Sequence, residues 1–72
     1  MEHTILANWD EEAGVWIATS DTVPGLVLES GSFDALIEKV RFAVPELLLL
    51  NKIPEDDIRL FFKSERHGKA YA

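Results

Sequence analysis

Seventy-two residues with a formal charge of −6 and no cysteine exclude several classes of protein at once. A chain this short buries only about 60% of the surface its unfolded form exposes, and without cysteine it has no disulfide, thiolate zinc site or cysteine nucleophile to draw on. The acidic balance opposes phosphate backbones, so direct nucleic-acid binding is not expected, and with 47% apolar residues the remaining aid to stability is self-association.

Thr4 to Trp9 alternates in character and reads as a first strand. Asp10 to Gly14 is a polar five-residue link, with Gly14 able to take the positive φ that closes a hairpin. Val15 to Ser20 reads as the second strand, antiparallel to the first. With this link, Ile5, Ala7 and Trp9 occupy one face of the hairpin and Leu6, Trp16 and Ala18 the other, so both faces carry apolar residues. At Pro24-Gly25 pairing must stop and the chain must turn; Asp21 is expected to cap that turn through nearby amides. Leu26 to Ser30 reads as the third strand.

Gly31 and Ser32 open a helix, with the Ser32 hydroxyl as N-cap and Asp34 in the first turn. Phe33, Leu36, Ile37, Val40, Ala43, Val44, Leu47 and Leu48 repeat at three- and four-residue steps and form the core stripe. Pro45 predicts a kink or a restart. Phe42, Leu49 and Leu50 fall outside the stripe and are candidate subunit contacts. Asn51 to Asp57 reads as a solvated polar turn. Ile58 to Lys63 reads as the fourth strand, where adjacent Phe61 and Phe62 put a ring on each face; Phe61 and Trp16 complete the candidate interface. The whole chain, residues 1–72, is read as one domain with a core over 4–63 and a mobile tail beyond.

No constellation for catalysis emerges. The acids of Asp10, Glu11 and Glu12, and of Glu55, Asp56 and Asp57, are consecutive and diverge, whereas a hard cation needs converging oxygens. A metal-dependent nuclease built on Asp10 and Asp21 lacks its further groups. The serines lack a positioned base or a nucleophile elbow, and His3 and His67 lack the spaced partners of a zinc site. Trp9 and Trp16 have acidic neighbours, unlike a base-stacking platform, which favours packing. No catalytic residue, metal or cofactor is therefore assigned. The N-terminus lacks the pattern of a secretion signal, and Leu47 to Leu50 is too short to cross a bilayer, so a cytoplasmic, membrane-free protein is expected.

The stretch "VWIATSDTVPGLVLESGSFDALIEKVRFAVPELL" resembles the HicB-like antitoxin family, especially its short stand-alone members. The likeness runs over roughly residues 4–63 and is sharpest at Asp21, Pro24, Gly25, Ser32 and Val44 to Leu48. Two residues, Thr22 and Val23, separate Asp21 from Pro24-Gly25 where the family commonly has one. The resemblance implies an α+β fold ordered β-β-β-α-β, an antiparallel sheet with one helix on one face, similar to a truncated ribonuclease H fold without its catalytic carboxylates. It also implies a non-catalytic module that neutralises a small basic RNA-cleaving toxin. The apolar residues left outside the stripe lead, separately, to the expectation of a dimer or tetramer. The alternative is a stand-alone oligomer without a toxin, binding a small ligand at a subunit boundary.

Overall fold

The computed structural model describes Met1 to Tyr71; Ala72, the last residue of the expected tail, lies outside the described residues. The elements are β1 (Glu2–Asp10), β2 (Val15–Thr19), β3 (Val27–Ser30), α1 (Phe33–Leu50) and β4 (Arg59–Glu65). They form one four-stranded sheet in the order β3-β2-β1-β4, the α+β arrangement expected. The sheet is mixed rather than wholly antiparallel: β1–β2 and β2–β3 are antiparallel, whereas β1–β4 is parallel. Two successive reversals leave β3 running in the direction of β1, and a helical crossover from β3 returns β4 in that same direction.

The hairpin is closed by Asp10. Its Oδ1 accepts from the amides of Glu12 (3.1 Å) and Ala13 (3.2 Å), and its carbonyl accepts from Gly14 (2.8 Å), where φ is +66°. Asp10 therefore pairs directly with Val15, and Trp9 with Trp16, Ala7 with Ala18 and Leu6 with Thr19 follow. This corrects the expected facing of β2. Directly paired residues share a face, so Trp16 and Ala18 lie with Trp9 and Ala7 on the helix side, and Leu6 shares the open side with Thr19.

Between β2 and β3 the Leu26 amide donates to the Val23 carbonyl (3.2 Å) across Pro24 and Gly25. With Gly25 at φ +81°, this is the type II geometry that favours Pro followed by Gly. Val23 and Leu26 are both buried, so the turn is anchored in the core at each end. Asp21 is exposed, and the bond expected of it is made by Ser20, whose Oγ accepts from the Thr22 amide (3.3 Å).

Ser32 caps α1 as expected, its Oγ accepting from the Ala35 amide (3.3 Å). Leu36, Val40, Val44 and Leu48 form the buried stripe, which meets Ile5, Ala7 and Ala18 of the sheet together with Val23 and Leu26. The helix runs unbroken through Pro45, so the expected restart is absent. Pro45 and Arg41 both lie on the exposed side, where water can serve the carbonyl that proline leaves without a donor. The C-terminus closes with the paired bonds of a Schellman motif, Ile53 N–H to the Leu48 carbonyl (2.9 Å) and Lys52 N–H to the Leu49 carbonyl (3.0 Å), with Lys52 left-handed at φ +57°. The Asn51 side-chain amide also donates to the Leu47 carbonyl (2.8 Å).

Leu36 is 1% exposed at the centre of this contact. Leu36→Ala is expected to lower unfolding stability by about 2–5 kcal/mol in urea titration, and Leu36→Met by less than about 1.5 kcal/mol. Equal costs for the two would place Leu36 outside a close-packed core.

Candidate functional site

The outer side of α1 carries an apolar stripe that the fold does not use. Phe42, Leu49 and Leu50 are 75%, 77% and 77% exposed, and with Pro45 they recur at the spacing of a single helix face. The stripe continues into a groove at the helix end, where Pro45 and Leu49 meet Ile53, Pro54 and Ile58, with Asp56 at its rim. Glu38, paired with Arg41 at 2.9 Å, lies one turn before Phe42 on the same face, and Glu46 stands between Phe42 and Leu50.

The sheet face away from α1 is also open. Leu6, Ile17, Val27 and Phe61 lie on it, by the register of β1 with β2 and β4 and of β2 with β3, and Val27 and Phe61 are exposed. Phe62, on the other side of β4, packs against the core. Of the residues expected at an interface, Phe42, Leu49, Leu50 and Phe61 are thus outward-facing. Trp16 is half-buried on the helix side, edge-on to both Trp9 (5.3 Å between centroids) and Phe33 (5.0 Å). Pro24, Gly25 and Ser32 serve turn and cap.

One polar cluster was not anticipated. His3 is 2% exposed on the helix side of β1, in phase with Ile5 and Ala7. Its Nε2–H donates to the carboxylate of Glu55 (2.8 Å to Oε2, 3.0 Å to Oε1), and Nδ1 pairs with Thr22 Oγ1 at 2.6 Å. The threonine hydroxyl can turn to serve either charge state of the ring. Glu55, expected in a solvated turn, has a side chain only 8% exposed. The three residues tie β1, the Pro-Gly joint and the α1–β4 connection at one point. Thr22 and Val23 hold the joint from both sides, Thr22 through this bond and Val23 by burial.

Hydroxyl, imidazole and carboxylate stand here in the order used for nucleophilic attack, so the surroundings of Thr22 matter. Thr22 lines a shallow depression with Glu2, Asp21 and Glu65 in its wall and Lys63 as the basic member. An oxyanion formed there would meet mostly like charge, the reverse of what acyl transfer needs. Asp10 and Asp21 sit at opposite ends of β2, too far along the hairpin to share an ion. Among the described residues, no group of three or more His, Asp or Glu side chains converges to hold a metal, and no helix is long and apolar enough to cross a membrane.

Residues 2–72 match the family described as a domain of unknown function, DUF1902. The chain belongs to this family. It is similar to the hypothetical protein TTHA1013 from the extremely thermophilic bacterium Thermus thermophilus, known from a crystal structure. The two are 38% identical over 97% of this chain and 100% of that one, with a TM-score of 0.85. No curated protein matches significantly.

In this DUF1902 chain, removing the Glu55 carboxylate leaves a buried ring N–H without a partner. Glu55→Ala is expected to lower stability by about 1–3 kcal/mol in urea titration, whereas Asp56→Ala, one residue along and exposed, changes it by less than about 0.5 kcal/mol. Similar small effects for both would show that the tie carries no weight.

Proposed function

We propose that this DUF1902 chain is a non-catalytic, HicB-like protein-interaction module of the cytoplasm, antitoxin-like, which self-associates and binds a small basic RNA-cleaving protein. The observation that carries the proposal is the Phe42, Leu49 and Leu50 stripe, three large apolar side chains about three-quarters exposed on one helix. Apolar surface of this kind, grouped on one face, marks a contact with another polypeptide. The order of elements and the Pro-Gly joint support the HicB-like assignment, and the net charge of −6 suits a basic partner, which it would draw in at long range.

The chemistry fits binding better than catalysis. The hydroxyl-imidazole-carboxylate row has its imidazole buried and its hydroxyl in an acidic depression, so its best use is to fix the Pro-Gly joint.

Affinity purification of the tagged chain from its native cells is expected to bring down a small basic protein whose RNA-cleaving activity the purified chain suppresses. Recovery of partner-free oligomers alone across repeated growth conditions would contradict the proposal. If their melting temperature also rose with a metabolite, the stand-alone ligand-binding alternative would replace it.

A further inference from the structure

Beyond the end of β4, Arg66 lies over an indole ring. The β1–β4 register ends with Asn8 opposite Glu65, so the next residue, Arg66, falls opposite Trp9 on the helix side. Its guanidinium carbon stands 4.1 Å from the Trp9 ring centroid and 5.8 Å from that of Trp16. Among the described residues Arg66 makes no ion pair; the aromatic face, rather than a carboxylate, is what it rests against.

The surroundings are built for a cation. Trp9 and Trp16 stand edge to face, with interplanar angle 63°, and Trp16 is braced by Phe33 at 83°, so the rings hold one another in place. The indole N–H of Trp9 donates to Glu11 Oε2 at 2.6 Å, which places a negative charge at the ring edge and makes its face more attractive to a cation. Asp10 and Glu65 lie at the same end of the sheet but on its open face, so among these acids it is Glu11 that meets the rings. Both tryptophans are half-buried, whereas Arg66 is exposed and belongs to no strand. The rings brace one another, whereas their occupant is exposed and follows the last paired residue of β4.

We propose that Trp9, Trp16 and Glu11 form a guanidinium-binding site, filled in the free protein by Arg66 and taken over by an arginine of a basic polypeptide when one binds. This inference rests on the proposed preference for a basic partner and gives that partner a chemical requirement, an accessible arginine. A planar, weakly hydrated guanidinium stacks on an indole better than a lysine ammonium does, so the site distinguishes arginine-rich from lysine-rich partners of equal charge. Displacing Arg66 also frees the segment after β4, so occupancy by a partner and release of that segment go together.

The chain's two tryptophans both belong to the site, so their fluorescence reports on it directly. Capped tetra-arginine and tetra-lysine peptides, titrated at about 0.15 M salt to limit long-range attraction, provide the probe. Arg66→Ala is expected to bind the arginine peptide about two- to fivefold more tightly than the wild type, the factor set by removing an exposed cation–π competitor. It should bind the lysine peptide distinctly less well. Lys69→Ala makes the same charge change in the same exposed segment and should leave affinity at the wild-type value. Circular dichroism establishes that each variant is folded. Equal affinity of Arg66→Ala and wild type, an equal gain in Lys69→Ala, equal binding of the two peptides, or no tryptophan response would each overturn the proposal. These outcomes are separate from co-purification: a missing cellular partner leaves the peptide result intact, and a failed titration leaves a toxin partner possible through other surfaces.

Discussion

A four-stranded sheet with one helix has two faces and one cover, and the register of the β1–β2 hairpin decides which side chains lie under it. Asp10 closes that hairpin so that it pairs with Val15, and every facing in β2 and β3 follows. Sliding the pairing by one residue would exchange the two faces of a strand, placing Trp16 and Ala18 outside and Ile17 and Thr19 under the helix. The observed register puts His3, Ile5, Ala7 and Ala18 beneath Leu36, Val40, Val44 and Leu48. It leaves Leu6, Ile17, Val27 and Phe61 on a side that no element among the described residues covers.

This single-sided packing explains why the core alone reads as thin. Among the described residues nine apolar side chains are buried, and the polar ties around them supplement what so small a core provides. His3 fastens the outer loops to β1 through Thr22 and Glu55, the Schellman motif ends α1 cleanly before the return strand, and the type II turn plants Val23 and Leu26 in the core. Buried polar groups carry such a role only when fully bonded, and both ring nitrogens of His3 are. Of the apolar side chains left over on the outer helix and the open sheet, Phe42, Leu49, Leu50 and Phe61 are the proposed contacts with other polypeptides.

Much of this was legible in the sequence, and the misses have definite causes. The helix stripe and its outliers follow from a 3.6-residue period over eighteen positions, long enough to leave little ambiguity, and the Ser32 cap and the Pro-Gly turn follow from local chemistry. In β2 the neighbours Trp16 and Ile17 are both apolar, so alternation cannot choose a face, and counting Asp10 in the link instead of in the strand shifts the pairing by one. The His3–Glu55 contact spans 52 positions, beyond the reach of spacing. Its signal was parity: extending β1 to Glu2 places His3 in phase with Ile5 and Ala7, where a buried imidazole must find partners. Arg66 over Trp9 was hidden for a similar reason, since it depends on the parallel pairing of β4 with β1. That pairing follows from the topology, not from any residue in either strand.

The central claim is that the unpartnered apolar stripe on α1 exists for contact between polypeptides, and the mass of the chain in solution tests it most directly. Sedimentation equilibrium of the wild type is expected to give a multiple of the 8.1 kDa chain mass, and of Leu49→Lys, with its circular dichroism unchanged, a mass near that of one chain. A wild type that sediments as a single folded chain at high concentration would contradict the account, and an oligomer unaffected by Leu49→Lys would show that the contact lies on another surface.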